Sequence, residues 1–225
     1  MLQINIDQKV TGLWNGEAVL ACCFMRGCQI THSLGPEFEH DITKVMSEIK
    51  ALGTEILNEP MLQNMRETFR SMPDMDPARY RPASEALIRR CLEKGLFRIK
   101  PLVDLNNLLS AKLRLPLGIY DLTDFESATW NYRLGSSGEN YLTISQQKKS
   151  ADGKLVLADD KGVIGSPVAD SNRASIGDRF GYIGVIAFLP FGFSLASAAT
   201  VLNEIQSSFN RFFRPTDSEI RIISK

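Results

Sequence analysis

The order of apolar and polar positions predicts strands and then a helix in the first sixty residues. Segments 4–10 and 18–24 have strand-like apolar patterns, and Asn15-Gly16 between them is a pair typical of hairpin turns. After Asp41, a favourable helix-capping residue, apolar side chains recur every three or four positions. These side chains are Ile42, Val45, Met46, Ile49, Leu52 and Ile56. The pattern indicates an α/β lobe at the start of the chain.

Helical patterns dominate the next fifty residues. We predict helices over 61–71, 83–94 and 102–113, the second ending at Gly95 and the third before Pro116. From residue 117 the pattern changes to short β-rich runs separated by glycines and polar clusters. These runs are 117–122, 129–134, 141–144, 154–158, 163–164 and 182–189, with an exposed hairpin loop expected over 145–153. A helix over 195–213 and a strand over 219–223 complete the pattern.

Together these elements predict an α+β fold in which an antiparallel or mixed sheet carries packed helices. The chain has 225 residues and a hydrophobic fraction of 44%, which is enough to bury a large core. The sequence contains neither an internal repeat nor a long linker. We therefore expect one domain over residues 1–225, with an N-terminal α/β lobe over 1–60 and a helical and β-rich part over 61–225.

Charge argues against a protein held on nucleic acid by bulk electrostatics, because 26 basic residues balance 26 acidic residues. The balance is uneven along the chain, since residues 61–115 contain eleven cationic and six acidic side chains. A local RNA-binding patch is one interpretation of this segment, and a solvated helix surface is the other. The candidate RNA-binding residues are Arg66, Arg70, Arg89, Arg90 and Lys94.

The four cysteines are expected to be small buried thiols, because three of them lie in or beside an apolar, strand-like run. A zinc site would need a second ligand pair, and His32 and His40 do not supply one, so we predict no metal. The first residues lack the charged and apolar regions of a signal peptide, and no apolar stretch reaches membrane-spanning length. A cytoplasmic protein is therefore expected.

Three short motifs carry a resemblance to a known family. They are Arg-Pro-Ala-Ser-Glu-Ala-Leu from Arg81, Lys-Pro-Leu-Val-Asp-Leu-Asn-Asn from Lys100, and Pro-Leu-Gly-Ile-Tyr-Asp from Pro116. The set resembles the third and fourth domains of the phenylalanyl-tRNA synthetase beta chain, particularly the stand-alone copies of that module. Lys100 stands where the family has an Asn before the proline. A relative or fragment of a synthetase subunit is therefore expected, and a complete tRNA ligase is not.

The resemblance implies hydrolysis of the ester between a tRNA and a wrong amino acid, typically tyrosine. Such a reaction needs a pocket, groups that anchor the amino acid and the ribose, and a positioned water. The ester is already activated and a ribose hydroxyl can assist, so neither a protein nucleophile nor a cofactor is required. The expected function is thus editing in trans, with aminoacylated tRNA as the partner. The alternatives are a non-catalytic module that binds RNA or an amino acid, and a detached synthetase fragment.

The resemblance also assigns two candidate catalytic residues. Asn107 matches the substrate-binding Asn of the family's Val-Asp-x-Thr-Asn sequence, and Asn106 precedes it. Amides both donate and accept hydrogen bonds, which suits an ester or an amino group, although both side chains could instead bond to neighbouring turns. Gly118 stands where synthetases have a histidine, which removes a possible acid or base. A cleft is expected where residues 106–107 face the turn at 117–121.

The remaining substrate-binding candidates are Arg81, Asp104, Gly118, Tyr120, Asp121 and Arg173. Arg81 could bind a phosphate or carboxylate, or pair with Glu85 or Asp104. The two aspartates could bind an α-ammonium group, or simply hold the fold together. Arg173 lies where stand-alone relatives have an Arg-Thr pair, although alanine follows it here. Leu117, Ile119, Tyr120 and Phe125 are candidates for apolar walls, and Ser84 and Glu85 are expected to cap a helix.

Overall fold

The structure, a computed structural model, describes residues 2–12, 18–29, 31–125, 128–178 and 180–225. It begins with strand β1 (Gln3–Ile6) and a short helix α1 (Gln8–Gly12), where one strand over 4–10 was predicted. Asp7 ends the strand, because its carboxylate accepts a hydrogen bond from the Lys9 amide at 2.7 Å and so starts the helical turn. Strand β2 (Val19–Arg26) follows.

The helices that come next agree closely with the sequence pattern. Helix α2 (Gly35–Leu52) continues into a 3₁₀ turn (Gly53–Asn58), and α3 (Pro60–Arg70), α4 (Ala83–Lys94) and α5 (Pro101–Leu113) follow. Helix α2 starts six residues before the expected cap at Asp41, since Pro36 lies in its first turn, where proline is favourable. Asp41 instead pairs with Arg211 on a later helix.

The second half of the chain is mostly β-structure. It contains β3 (Leu117–Asp121), β4 (Thr129–Leu134), β5 (Asn140–Leu142), β6 (Lys148–Ser150), β7 (Leu155–Asp159), β8 (Gly162–Gly165), β9 (Tyr182–Phe188), α6 (Leu195–Phe213) and β10 (Asp217–Ser224). The expected loop over 145–153 was wrong in part, because β6 lies within it and pairs with β5. Gln146 has the positive φ of 61° that the tight turn between them requires.

Within the described residues the strands form two four-stranded sheets and the β5–β6 hairpin. One sheet has the order β10-β2-β9-β3 with antiparallel neighbours. The other has the order β1-β4-β7-β8, in which β1 runs parallel to β4. The predicted α+β class with a mixed sheet arrangement is confirmed. The hairpin expected between the first two strands is wrong, because β1 and β2 belong to different sheets; its Asn15-Gly16 turn lies outside the described residues.

Two helices and one edge strand position the polar motifs. Helix α5 packs against both α4 and β3, and β3 is the outer strand of its sheet. Two side-chain bonds fix the helix to the chain that follows it. Asn106 donates to the Leu117 carbonyl at 3.0 Å, and Ser110 donates to the Leu115 carbonyl at 2.6 Å. No helix in the described part of the chain is long and apolar enough to cross a membrane.

Candidate functional site

A cleft of about 550 Å³ lies where α4, α5, β3 and the segment before β9 meet. Each of the two helices contributes residues at positions i, i+3, i+4 and i+7, the spacing of one helix face. Helix α4 supplies Ala83, Ala86, Leu87 and Arg90, and helix α5 supplies Val103, Asn106, Asn107 and Ser110. The alternate residues Leu117 and Ile119 face it from β3. The motifs that carry the family resemblance therefore meet at one cavity.

Asn106 is buried, and half of its amide is used by the fold. Its nitrogen donates to the Leu117 carbonyl, while its carbonyl oxygen has no hydrogen-bond partner in the described structure. A buried, unpaired amide oxygen costs free energy unless a ligand or water donates to it. Since Asn106 lines the cleft, its oxygen is available to a donor there.

Asn107 lines the same cleft but is less buried than Asn106. Its side-chain amide forms no hydrogen bond with any described residue. The two asparagines therefore differ in their structural contribution, because only Asn106 ties α5 to β3. Asn107 offers a complete amide group, donor and acceptor, to whatever occupies the cleft.

Gly118 and Tyr120 are linked by a steric relation. A Cβ atom added at Gly118 would overlap the Tyr120 hydroxyl, and so would one added at Gly165 of β8. The buried Tyr120 ring thus extends its hydroxyl into space that two glycines leave open. This explains physically why no side chain, histidine included, fits at position 118 beside this tyrosine.

The Tyr120 hydroxyl donates a hydrogen bond of 2.6 Å to one carboxylate oxygen of Asp170, which lines the cleft. Burial raises the pKa of Asp170 to about 7, although the bond from Tyr120 acts in the opposite direction. Burial and the neighbouring carboxylate raise the pKa of Tyr120 well above its usual value, so the phenol stays protonated as the donor. The pair therefore places a carboxyl group that titrates near neutrality in the cleft wall.

Two cations also line the cleft. Arg90 lies over the Phe97 ring at 5.0 Å, and its buried Nε has no hydrogen-bond partner. Among the described residues it forms no ion pair. Lys100 pairs with Asp178 at 2.7 Å at the protein surface. Ile99 and Ile144, which also line the cleft, are 62% and 56% exposed, so they lie at its mouth.

None of the six predicted substrate-binding residues lines the cleft. Gly118 and Tyr120 alternate along β3 with Leu117 and Ile119, so they face the other side of the strand. The other four have partners within the fold. Arg81 lies 3.5 Å from Glu85, one of its two expected partners. Asp104 accepts from the Ile99 amide at 2.6 Å and from Arg98 at 3.0 Å, which organises the start of α5. Asp121 accepts from both the amide and the hydroxyl of Thr123.

Arg173, the fourth of these residues, is bound by other residues of the fold. It binds Asp159 through two hydrogen bonds of 2.9 Å and also donates to the Gly162 carbonyl. These contacts hold the β7–β8 turn, in which Asp159 caps the Lys161 amide. Of the expected apolar walls, Leu117 and Ile119 line the cleft, whereas Phe125 packs edge-on against Trp130.

Two of the five predicted RNA-binding residues are bound to a buried carboxylate, and the other three are not. Arg66 and Arg89 converge on the buried carboxylate of Glu85, which therefore does not cap α4 as expected. Ser84 does not cap it either, since its buried hydroxyl has no partner. Arg70 pairs with Glu67, Lys94 is exposed, and Arg90 lines the cleft.

The thiols lie in the core or beside it, away from the cleft lining. Burial raises the pKa of Cys23 to about 12 and that of Cys28 to about 11, and it raises the pKa of Cys22 further. The thiolate, which is the reactive form, is therefore scarce at neutral pH. This agrees with the interpretation of these cysteines as packing residues.

Sequence reasoning missed Asp170, the one carboxyl group among the described residues that line the cleft. The available signal was its position, six residues after the predicted strand at 163–164 and three residues before Arg173. It missed the role of Arg90 in the cleft for a different reason, because Arg90 was treated as part of a surface patch. The shared helix-face spacing of α4 and α5 could have placed Arg90 with Asn106 and Asn107.

Comparison with known proteins assigns the part of the chain that forms the cleft to one family. Residues 73–221, about two thirds of the chain, match the family model described as "B3/4 domain". No curated protein matches the sequence. A solved N-terminal fragment of the phenylalanyl-tRNA synthetase beta-subunit from Pyrococcus horikoshii is similar, with a TM-score of 0.46 and 11% identity over 98% of this chain. The chain covers 50% of that fragment.

Proposed function

The chain belongs to the B3/4 domain family, and we propose that its cleft binds the aminoacylated end of a tRNA, or a similar aminoacyl ester, and hydrolyses the ester in trans. The observation that carries this proposal is the unpaired amide chemistry of Asn106 and Asn107 inside a cavity of about 550 Å³. Cavities of this size hold small organic ligands, and a few polar groups in apolar walls set the ligand's orientation. An aminoacyl ester has both the apolar and the polar parts that such a cleft selects.

The apolar walls supply the site for an amino-acid side chain. Leu87, Val103, Leu117, Ile119, Val168 and Ile176 all line the cavity. Burial of an apolar side chain among them contributes about 25 cal/mol for each Å² removed from water. Binding energy from this part of the ligand can hold the ester against the asparagines, which is the orientation that hydrolysis requires.

The asparagines supply the polar contacts for the reaction. The Asn107 amide can donate to the ester carbonyl, where negative charge develops as water attacks. The Asn106 oxygen can accept from the attacking water or from a ribose hydroxyl. The water oxygen bonds to the carbonyl carbon of the ester, and the bond from that carbon to the ribose oxygen breaks. The ribose oxygen leaves with a proton, so the products are a free amino acid and uncharged tRNA. Neither a thiolate nor a serine triad is needed for this step.

Arg90 supports a polynucleotide as the carrier of the amino acid. It is a cation without an ion-pair partner in the described structure, and it lines the cleft beside an exposed aromatic ring, Phe97. A phosphate of the tRNA acceptor end would supply the missing acceptors. Arg66 and Arg89 serve this purpose less well, because both are bound to Glu85.

A binding module without catalysis is the second candidate function. The observation in its favour is Gly118, because the Tyr120 hydroxyl leaves no room there for the acid or base that a histidine would provide. Such a module would use the same cleft and the same asparagines. It would hold an aminoacyl ligand without raising its rate of hydrolysis.

A deacylation screen tests the proposal. Purified protein is incubated with a panel of mischarged tRNAs, and release of the amino acid is compared with spontaneous hydrolysis. We expect Asn107→Ala to lower the rate about tenfold to a hundredfold, because one hydrogen bond to a charged transition state contributes on the order of 1.5–3 kcal/mol. Asn203→Ala, an exposed asparagine on α6, is the matched control and should retain the full rate.

Two outcomes of the screen would count against editing. If the wild-type protein accelerates the deacylation of none of the mischarged tRNAs, the hydrolytic proposal is wrong. If the Asn107 variant retains full turnover per folded molecule, the assignment of catalysis to this cleft is wrong. Tight binding of a charged tRNA without turnover would favour the binding module.

A further inference from the structure

Asp170, which is partly buried, differs from the buried carboxylates of the protein in having no cationic partner among the described residues. Glu85 is bound by arginines, Asp104 by Arg98, and Asp159 by Arg173. Asp170 has only the neutral Tyr120 hydroxyl, and no described Lys or Arg forms an ion pair with it. A carboxylate in an apolar wall is costly when its charge is uncompensated, so folding alone does not account for its presence.

The fold nevertheless holds this carboxyl group in one orientation. The bond from Tyr120 fixes one of its oxygens at 2.6 Å, and that bond is possible only because positions 118 and 165 are glycines. The other oxygen has no hydrogen bond from the described residues. Because Asp170 lines the cleft, this oxygen is an acceptor for a ligand.

We propose that Asp170 binds the α-ammonium group of the ligand, so that the cleft takes amino-acid derivatives with a free amino group. The proposal rests on the function proposed above and specifies its substrate class. An ammonium group supplies the positive charge and the donors that the carboxylate lacks. The unpaired Arg90 complements it, because an aminoacylated nucleotide has an ammonium group at one end and a phosphate at the other. Tyr120 is a positioning residue, since it acts through Asp170.

Equilibrium binding tests this charge preference without requiring turnover. The probes are 3′-amino-3′-deoxyadenosines with alanyl, valyl, leucyl or tyrosyl groups in amide linkage, which resists hydrolysis. Each is compared with the matching compound that lacks the α-amino group, by calorimetry at about pH 7.4, between the pKa of Asp170 and that of an α-amino group. For the side chain that binds best, we expect the ammonium form to bind about tenfold to a hundredfold more tightly.

Asp170→Asn is the test variant, because asparagine keeps the size and can still accept the Tyr120 hydrogen bond. It should bind both compounds of a pair with equal affinity. Asp160→Asn, an exposed carboxylate in the β7–β8 turn, is the control and should retain the preference. If Asp170→Asn fails to fold, the comparison of the two compounds on the wild-type protein and the pH profile below still test whether Asp170 binds the ammonium group.

The pH dependence follows from the ionisation of Asp170. The charged form binds ammonium, and the pKa of Asp170 is about 7, so affinity should rise as pH increases from 6 to about 7.4. It should fall again above about pH 8, because the α-amino group of the ligand, with a pKa of about 7.7–8.0, loses its proton there. The other ionisable groups near this carboxyl group are Tyr120 and Tyr141, whose pKa values are raised by burial, and the cleft cations Arg90 and Lys100. The raised pKa values of the two tyrosines keep both phenols protonated in this range. Tyr120→Phe removes a bond that lowers the pKa of Asp170, so the midpoint should move to higher pH.

The outcomes separate this proposal from the hydrolytic one. Ammonium preference without deacylation would refute hydrolysis and leave the role of Asp170 intact. Deacylation with equal binding of both compounds would overturn the role of Asp170 and leave hydrolysis intact. Binding of neither compound, or an unchanged preference in Asp170→Asn, would also overturn it.

Discussion

Replacing Glu85 by alanine removes the acceptor on which three arginines of the cation-rich segment 61–115 converge. The Glu85 side chain is 1% exposed, and Arg66 binds it through two hydrogen bonds of 2.8 and 2.6 Å. Arg89 donates at 2.8 Å, and Arg81 lies at 3.5 Å. The variant leaves these guanidinium groups without a counter-charge and opens a small cavity beneath them.

The loss of stability expected for Glu85→Ala depends on how far its arginine partners are exposed to water. Removal of one partner of a fully buried ion pair costs about 3–5 kcal/mol. Here the arginine side chains retain 23% exposure for Arg66 and 37% for Arg89, so water can solvate part of the released charge. We therefore expect Glu85→Ala to lower the free energy of unfolding by about 2–3 kcal/mol, in the lower part of that range or just below it.

Urea unfolding measures this loss, with Arg81→Ala as the control. The Arg81 side chain is 49% exposed and touches Glu85 only at 3.5 Å, so its removal should cost about 0.5 kcal/mol or less. Burial raises the pKa of Glu85, but hydrogen bonds from Arg66 and Arg89 outweigh it, so the pKa is lowered overall. The stabilisation is therefore present above the unfolded pKa of about 4.3 and lost as pH falls through the folded pKa. Equal losses in both variants, or a Glu85→Ala loss that does not shrink as pH falls below about 4.3, would refute the reasoning.

Three further changes test other parts of the structure. Gly118→Ala should lower the free energy of unfolding by about 1–3 kcal/mol in urea titration, because its Cβ overlaps the Tyr120 hydroxyl; no loss would contradict that contact. Asn106→Ala should cost about 1–3 kcal/mol in the same titration, whereas Asn107→Ala should cost under about 0.5 kcal/mol, and equal losses would contradict their different bonding. Arg90→Ala should reduce the salt dependence of binding to charged tRNA by about one phosphate contact, and an unchanged slope would rule out that contact.

Much of the fold could be predicted from local patterns. Helix α4 begins after a proline and ends at Gly95, which has a φ of 80°, and its bounds were predicted to the residue. The same is true of α6 and β4. Strand partners were less accessible, because pairing depends on the path of the whole chain. The parallel pairing of β1 with β4 joins residues more than a hundred positions apart, and no turn signal marks it.

In the candidate site, sequence could predict the residues whose partners are near them along the chain. It could not predict those whose partners are distant. Asn106, Asn107, Leu117 and Ile119 line one cleft because α5 and β3 are adjacent along the chain. Arg173 and Arg66 were interpreted as ligand-binding groups, but each has a carboxylate partner distant in sequence. An arginine's availability is set by such partners, so sequence alone does not distinguish a bound guanidinium from a free one. This also limits charge reversal at Arg89 as an RNA-binding test, because it would disturb Glu85.

The contrast between Glu85 and Asp170 shows where function is to be sought in this fold. Glu85 is buried and Asp170 is partly buried, but Glu85 has three arginine partners and a lowered pKa. Asp170 has none, and its pKa is raised. A chain selected only for stability has no reason to keep an uncompensated carboxylate in a cleft wall, since an amide would fit there at lower cost. The arginines over Glu85 therefore belong to the fold, and the unpaired charges of Asp170 and Arg90 are the ones that a ligand would complete.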